Sequence, residues 1–221
     1  MKLLDSQLKP YIDPYLIKIS DKFRSYGLEA NDVTLIGLFF AILTFPALLF
    51  KTYWLALILI LLNRLMDGID GFIARSEEKD IRSIKRQFGG FFDIFSDFVL
   101  YSGFVLFFAL GYGVEGYFAG LFLLFAYILN AVCFFGYALF TTSTGGQITD
   151  VKKSFAFLEG IAEGTETIIY MVTCCIVPFL FPALTFIFAL MCLVSAILRF
   201  YNIYKIYKTF SKQSQKSKNS D

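Results

Sequence analysis

Long apolar segments recur along most of this chain, and they constrain its fold more than any other feature. The 221 residues are 57% hydrophobic and only 17% charged, which is too few charges to cover a soluble domain of this size. A helix needs about 20 apolar residues to cross the roughly 30 Å hydrocarbon core of a bilayer. We therefore predict an all-α integral membrane fold with six transmembrane helices, at approximately 33–50, 53–74, 88–110, 116–140, 157–178 and 182–204.

The residues before the first of these spans predict a helix that lies along the membrane surface. One helical face is apolar or aromatic while the lysines and arginines fall elsewhere, a pattern typical of an interfacial helix. That face carries Tyr11, Tyr15, Leu16, Ile19 and Phe23. We divide the chain into an N-terminal interfacial amphipathic helix within 1–30, a six-span membrane domain over 31–205 and a cytoplasmic tail over 206–221. The tail is rich in Ser, Lys and Gln and is predicted to be disordered.

Basic residues alternate between the two sides of the predicted spans. Lys and Arg cluster in 2–24, 75–86 and 152–153 and after Arg199, whereas the turn near 178–183 contains none. Because cytoplasmic loops carry an excess of basic residues, this pattern predicts a multi-pass protein of the cytoplasmic (inner) membrane with both termini facing the cytoplasm. Membrane topology accounts for the dispersed basic residues, so nucleic acid is not an expected partner.

The absence of histidine excludes several kinds of catalysis. A Ser-His or Cys-His nucleophile cannot operate in this chain, nor can a transferase that forms a phosphohistidine. The general base of an enzyme would instead be a carboxylate, or a Lys, Tyr or thiolate. The four cysteines all fall inside apolar segments and are interpreted as buried hydrophobic side chains.

Four aspartates occur within the second and third predicted spans, close to the cytoplasmic side. Asp67 and Asp70 are three residues apart and Asp93 and Asp97 are four apart, so each pair shares a helix face. Each intramembrane carboxylate costs about 2.5–3.5 kcal/mol even on the lenient insertion scale, which demands a compensating partner. One or two divalent cations would supply it, and all-oxygen ligation favours Mg²⁺, Mn²⁺ or Ca²⁺ over zinc.

Two other interpretations of the four aspartates are open at this stage. The carboxylates could pair with Arg64, with Arg75 or with each other in a packing network. They could also form the ion path of a divalent-cation transporter, but a transporter would carry acidic groups through the full membrane depth, and the outer halves here are almost uncharged. The small residues Gly71, Ala74 and Gly89 leave room beside the carboxylates for a nucleotide or a neighbouring helix.

The sequence around these aspartates resembles the signature of a known family. The segment from Asp67 to Arg75, DGIDGFIAR, is followed by Gly89-x-x-x-Asp93-x-x-x-Asp97. Together they are similar to the motif of the CDP-alcohol phosphotransferases, also called CDP-alcohol phosphatidyltransferases. The segment ANDVT at 30–34 is similar to the Pro-Asn-x-x-Thr sequence of many members, with alanine in place of proline. The region from 153 to 167 looks like an uncharacterised bacterial branch of the family.

The resemblance implies a role for each matching residue. It implies that Asp67, Asp70 and Asp93 hold a pair of Mg²⁺ or Mn²⁺ ions, and that Asp97 contributes to the metal site and is the catalytic general base. The implied reaction is attack of an acceptor hydroxyl on the β-phosphorus of the donor, with release of CMP. The implied contacts of the CDP moiety are Asn31, Thr34, Asp70, Gly71, Ala74, Arg75 and Gly89.

The spacing between Arg75 and Gly89 departs from the family pattern. Thirteen residues lie between them here, whereas the usual pattern has eight. The added residues are interpreted as a solvated cytoplasmic loop, where insertions are tolerated. The alternative is that Arg82, Lys85 or Arg86 binds an anionic lipid or an acceptor phosphate.

A second acidic stripe, on the fifth predicted span, is assigned to the acceptor side of the cavity. Glu159, Glu163 and Glu166 share one face near the cytoplasmic end, and Arg199 is assigned to the same side. The alternative is that these glutamates pair with Arg199 or with the lysines at 152–153. Gly116-x-x-x-Gly120 is compatible with a helix-packing contact or with a homodimer.

These features together predict a membrane enzyme of phospholipid biosynthesis. It would move a phosphatidyl group from CDP-diacylglycerol to a small alcohol in a reaction that depends on divalent metal. Its expected partners are these substrates, the bilayer and a second copy of the chain in a homodimer. A transferase that moves phosphocholine or phosphoethanolamine onto diacylglycerol is an alternative within the class. Serine, glycerol 3-phosphate, an inositol compound and phosphatidylglycerol are all acceptors that the sequence allows.

Overall fold

The computed structural model describes residues 2–77, 83–143 and 164–218, and every regular element in these residues is helical. The predicted all-α class is therefore confirmed for the described residues. The helices are α1 (Lys2–Ser25), α2 (Ala30–Leu49), α3 (Tyr53–Glu77), α4 (Ile84–Tyr112), α5 (Val114–Ser143), α6 (Gly164–Ile176) and α7 (Phe181–Lys218), with a short 3₁₀ helix at Pro178–Leu180. They form two compact units, Met1–Gly111 and Tyr112–Asp221.

Several helices have the length and composition of membrane spans. Among the described residues, four segments are long and apolar enough: Ala30–Leu49, Ile84–Tyr112, Val114–Tyr137 and Pro178–Lys208. Helix α3 has 25 residues, but charged side chains interrupt its apolar sequence, and α6 comprises only 13 residues. The first part of the predicted fifth span, 157–163, lies outside the described residues. The membrane character is thus supported, and the count of six spans stays a prediction.

In the first unit, α2 and α3 pack along one another and α1 packs on α3. The turn between α2 and α3 is tight, and Lys51 adopts a left-handed backbone conformation there with φ 58°. Glycine at position 37 favours close approach of the two helices, because a Cβ atom there would lie only 3.2 Å from the Cβ atom of Met66. The apolar core of this contact consists of Ala30, Val33, Met66, Ile69 and Ile73.

Helix α1 uses part of its predicted apolar face for a contact within the protein. Leu16, Ile19 and Phe23 pack against the core formed by α2 and α3, whereas the Tyr15 side chain is 70% exposed. A Cβ atom at Gly68 would lie 3.3 Å from a methyl group of Leu16, so glycine allows α1 to approach α3 closely. The interfacial location of α1 stays a prediction, and its docking onto α3 is a structural finding.

Aromatic contacts hold α4 in the first unit. Phe45 of α2 stacks on Phe107 with ring centroids 4.9 Å apart, and Tyr53 stacks on Phe108 at 5.0 Å. A Cβ atom at Gly103 would overlap the Phe45 ring, so a larger residue there would displace the ring. These contacts fix the position of α4 relative to α2 and α3, and thereby the position of its acidic residues.

In the second unit, α5 packs along α7. A Cβ atom at Gly116 would lie 3.2 Å from Tyr112 and 3.3 Å from Phe181, so this glycine has a packing role within the chain. Helix α7 continues to Lys218, which differs from the predicted disordered tail over 206–221. The physical reason is that no Gly or Pro follows Pro182 in this helix, and Lys, Gln and Ser are compatible with helical backbone.

Candidate active site

Three aspartates from α3 and α4 converge into one acidic group, which we call the acidic trio. It consists of Asp67, Asp70 and Asp93, and one carboxylate oxygen from each lies within 4.8 Å of the others. Asp67 and Asp70 share a face of α3 because they are three residues apart. Asp70 is almost completely buried, at 5% exposure. The structure therefore brings together three of the four aspartates that the sequence singled out.

A hydroxyl group from α2 orients the most buried member of the trio. The Oγ1 atom of Thr34 lies 2.6 Å from Asp70 Oδ2 and 3.1 Å from the Ala30 carbonyl oxygen. The hydroxyl has a single proton, and the shorter distance and the charge of the acceptor favour donation to the carboxylate. The nucleotide contact predicted for Thr34 stays a prediction, and the structure shows that its hydroxyl faces Asp70.

Asp97 lies outside the acidic trio, in a cluster with an arginine and a tyrosine. The Nη2 atom of Arg64 donates to Asp97 Oδ1 at 2.6 Å, and the Tyr101 hydroxyl donates to Asp97 Oδ2 at 3.1 Å. The Arg64 side chain is only 13% exposed, and its Nη1 atom lies 3.7 Å from Asp67 Oδ2. Pairing with Arg64, which the sequence left open as an alternative for all four aspartates, is thus found for Asp97 and at longer distance for Asp67.

Sequence reasoning missed Tyr101 and considered Arg64 only as a packing partner of the aspartates. Both residues have a helical spacing that could have identified them, since Tyr101 follows Asp97 by four residues and Arg64 precedes Asp67 by three. Tyr101 was not distinguished from the many aromatic residues of the chain, and only the three-dimensional structure shows that its hydroxyl contacts a carboxylate.

A cavity of about 220 Å³ lies beside the acidic trio in the first unit. Its lining residues come from the start of α2, from the part of α3 that follows Asp70 and from the part of α4 that precedes Asp93. The lining residues are Ala30, Asn31, Gly71, Ala74, Arg75, Lys85, Arg86, Gly89 and Gly90. Five of the seven residues predicted to contact CDP line this cavity, and the other two, Thr34 and Asp70, lie at the trio.

The walls of the cavity are small and its charged groups are basic. Arg75, Lys85 and Arg86 supply three cations, and the described lining residues include no carboxylate. The Arg75 guanidinium stacks over the Phe72 ring at 4.5 Å from the ring centroid, which limits its orientations. The Lys85 Nζ atom lies 2.9 Å from a carboxylate oxygen of Glu29, so this ion pair links the start of α2 to the start of α4. Basic groups in a cavity of this kind favour an anionic ligand.

The residues assigned to the acceptor side lie elsewhere in the chain. Glu159 and Glu163 fall outside the described residues, as does Arg82. Glu166 lies in the first turn of α6. Arg199 lies in α7 and donates a hydrogen bond of 2.8 Å to Asn130 Oδ1. Glu166 and Arg199 belong to the second unit. The role of the four residues assigned to the acceptor side stays a prediction.

Comparison with known proteins identifies the family. The model of the CDP-alcohol phosphatidyltransferase family matches residues 28–204. The chain belongs to this family. The inner membrane protein YnjF of Escherichia coli (strain K12) is 35% identical over 203 residues, which cover 90% of this chain and 95% of that protein. An uncharacterized protein of Aquifex aeolicus (strain VF5) is 38% identical over 93 residues, which cover 42% of this chain and 45% of that protein.

Family membership confirms the predicted class of enzyme. CDP-alcohol phosphatidyltransferases are phosphotransferases that transfer a phosphatidyl group from a CDP-alcohol in membrane lipid synthesis. The family uses divalent metal. The acidic trio fits such an ion because its carboxylate oxygens, from two helices, lie close enough together to ligate one ion. An all-oxygen donor set of this kind suits a hard divalent cation.

Proposed function

We propose that this protein transfers a phosphatidyl group from CDP-diacylglycerol to a small alcohol, with release of CMP. The oxygen of the acceptor hydroxyl forms a bond to the β-phosphorus of the donor, and the bond between that phosphorus and the oxygen of CMP breaks. The hydroxyl proton passes to a carboxylate of the protein. The observation that carries the proposal is the acidic trio beside a small-walled, cation-lined cavity, in a chain of this family.

The cavity is proposed to bind the CDP part of the donor. Arg75, Lys85 and Arg86 would attract the diphosphate, since guanidinium and ammonium groups bind phosphate oxygens strongly. Gly71, Ala74 and Gly89 present little side-chain bulk, which leaves space for the nucleoside. The Asn31 amide has a donor and an acceptor that could contact the ribose or the base.

The acidic trio is proposed as the metal site. Asp67, Asp70 and Asp93 would hold Mg²⁺ or Mn²⁺, with two ions as the proposed number and Asp97 contributing as the resemblance implies. Bound metal would neutralise charge that develops on the diphosphate during transfer. The chain's own contribution is orientation, because the Thr34 hydroxyl donates to Asp70 Oδ2 and orients that carboxylate.

Asp97 is proposed as the general base that accepts the proton of the acceptor hydroxyl. It lies one turn beyond Asp93 on α4, and its carboxylate oxygens accept hydrogen bonds from Arg64 and Tyr101. A chain without histidine needs such a group, and a positioned carboxylate can serve.

The membrane setting supports a lipid donor. The relative YnjF is named as an inner membrane protein, and this chain has four described segments able to cross a bilayer. We propose a multi-pass protein of the inner membrane with six spans, in which both termini and the site face the cytoplasm, where CMP is released. Glu159, Glu163, Glu166 and Arg199 are proposed to face the acceptor, and a homodimer is the proposed assembly.

Purified protein in lipid nanodiscs provides the test. Each reaction contains CDP-diacylglycerol, Mg²⁺ and one acceptor: serine, glycerol 3-phosphate, an inositol compound or phosphatidylglycerol. Lipid products and CMP are measured by mass spectrometry. Parallel reactions contain CDP-choline or CDP-ethanolamine with diacylglycerol. We expect CMP and a new phosphatidyl lipid with one of the acceptors from CDP-diacylglycerol.

The control for aspartate substitutions in the site is Asp21→Asn, which removes an exposed carboxylate of α1 that is far from the motif in sequence. It should have the activity of the wild-type protein. Turnover only with CDP-choline or CDP-ethanolamine would replace the proposal with the second type of transferase. No CMP from any donor would contradict the enzymatic proposal.

A further inference from the structure

Arg64 is the centre of a hydrogen-bond network that connects three helices. We call its members Asn63, Arg64, Asp97 and Tyr101 the Arg64 cluster. The Nε and Nη2 atoms of Arg64 donate to Asn63 Oδ1 at 2.8 and 2.6 Å. The same Nη2 atom donates to Asp97 Oδ1 at 2.6 Å, and Nη1 donates to the Tyr101 hydroxyl oxygen at 3.3 Å. One guanidinium group therefore contacts three side chains through four hydrogen bonds.

The network is anchored to the backbone of α2. The Asn63 amide nitrogen donates to the Gly37 carbonyl oxygen at 2.8 Å, and Asn63 is almost fully buried at 1% exposure. This bond directs the Asn63 amide oxygen toward Arg64. The α2 backbone thus orients the Asn63 side chain of α3, and Asn63 in turn orients the Arg64 guanidinium that contacts α4.

Both oxygens of Asp97 accept hydrogen bonds from this cluster. Arg64 donates to Oδ1 and Tyr101 donates to Oδ2, which together define the plane and the rotation of the carboxylate. By contrast, Asp97 is not a member of the acidic trio. The Asp97 carboxylate is therefore oriented by side chains of α3 and α4.

We infer that Arg64 is a positioning residue that holds the Asp97 carboxylate in the orientation in which it accepts the proton of the acceptor hydroxyl. The inference rests on the proposed function. Arg64 acts through Asp97, and its planar guanidinium holds a carboxylate more rigidly than an ammonium group would. A small displacement of a reacting group can cost about 100-fold in rate, and removal of Arg64 leaves Asp97 with Tyr101 as its remaining donor within the cluster.

The test measures CMP release and CDP binding for Arg64→Gln, Arg64→Lys and Tyr101→Phe in nanodiscs. Arg64→Gln should lower kcat by about 100-fold while KM for CDP-diacylglycerol and the affinity for CDP stay within about threefold of wild type. Arg64→Lys should recover kcat to about tenfold above Arg64→Gln, because it restores the charge without the planar fork. A tenfold increase in Mg²⁺ should leave kcat of Arg64→Gln low. The charge control is Arg24→Gln, which removes an exposed arginine of α1 and should leave kcat unchanged.

Two results would overturn the inference: a kcat of Arg64→Gln within about twofold of wild type, or recovery of its kcat by added Mg²⁺, which would place Arg64 at the metal instead. Equal kcat values for folded Arg64→Lys and Arg64→Gln would also overturn it. Arg64→Lys decides the case if Arg64→Gln does not fold, because it keeps the charge and loses only the planar fork. A kcat about tenfold below wild type at unchanged KM supports the inference, and an unchanged kcat contradicts it. Tyr101→Phe, which removes the other donor to Asp97, should lower kcat less than Arg64→Gln does. Failure of the proposed function would appear separately, as absence of CMP release by the wild-type protein.

Discussion

The hydroxyl of Thr34 on α2 lies 2.6 Å from Asp70 Oδ2 on α3, so a neutral side chain orients a buried carboxylate of the acidic trio. We predict that Thr34→Val weakens metal binding by about 10–100-fold, the usual effect of removing a group that orients a metal ligand. The measurement is a Mn²⁺ titration monitored by electron paramagnetic resonance. The matched control is Thr44→Val in the same helix, because the Thr44 hydroxyl is also buried but donates only to the Phe40 carbonyl oxygen. Equal Mn²⁺ affinities of the two variants would contradict the role given to Thr34.

Arg86 is predicted to bind the diphosphate of the donor from the wall of the cavity. Arg86→Gln should weaken binding of CDP by about tenfold and leave binding of cytidine unchanged, because a charge-assisted hydrogen bond is worth roughly 1.5–3 kcal/mol. Isothermal titration calorimetry of the protein with both ligands measures the difference. Lys22→Gln, which removes an exposed cation of α1, is the control. If Arg86→Gln weakened CDP and cytidine equally, the residue would support the cavity rather than bind phosphate.

Leu16 is predicted to stabilise the first unit through its contact with α3 at Gly68. Leu16→Ala should lower the free energy of unfolding by about 1–3 kcal/mol, less than for a fully buried leucine because Leu16 is only partly buried. Unfolding in detergent by chemical denaturant, monitored by circular dichroism, provides the measurement. The control is Ile17→Ala, since Ile17 is 46% exposed on the same helix. Similar losses for both variants would mean that α1 contributes no specific contact.

Asp97 is predicted to accept a proton during transfer without binding the donor. Asp97→Asn keeps the size of the side chain but removes its basicity, so kcat should fall by about 10²–10⁴-fold. The affinity for CDP should stay within about threefold of wild type, because the cavity residues are unchanged. Steady-state CMP release and calorimetric CDP binding measure the two quantities. Unchanged turnover would remove the assignment of Asp97 as general base.

The sequence was sufficient to predict the parts of the site that depend on helical spacing. Asp67 and Asp70 share a face because they are three residues apart, and the same rule places Gly71 one turn after Asp67 and Ala74 one turn after Asp70, with Arg75 at the edge of that face. Those residues do line one cavity with Asn31 and Gly89. The helices around the site also begin and end near the predicted positions, because apolar length fixes the spans.

The sequence was not sufficient where partners come from different helices. Whether Arg64 would approach Asp67, Asp97 or neither depends on how α3 and α4 are rotated, which spacing along one helix does not determine. The hydroxyl of Thr34 could face a ligand or a carboxylate, and only the packing of α2 on α3 decides. The docking of α1 onto α3 could not be predicted for a similar reason, since an amphipathic face is suited equally to a membrane surface and to a protein core.

The most direct test of the account is removal and return of divalent metal in the wild-type protein. The protein is stripped with EDTA, and CMP release from CDP-diacylglycerol with its best acceptor is measured while Mg²⁺ is titrated back. We predict no release in excess EDTA, full recovery with Mg²⁺, and at least about tenfold more metal for half-maximal activity in Asp93→Asn. Undiminished CMP release in excess EDTA would contradict the account, as would a wild-type metal requirement in Asp93→Asn.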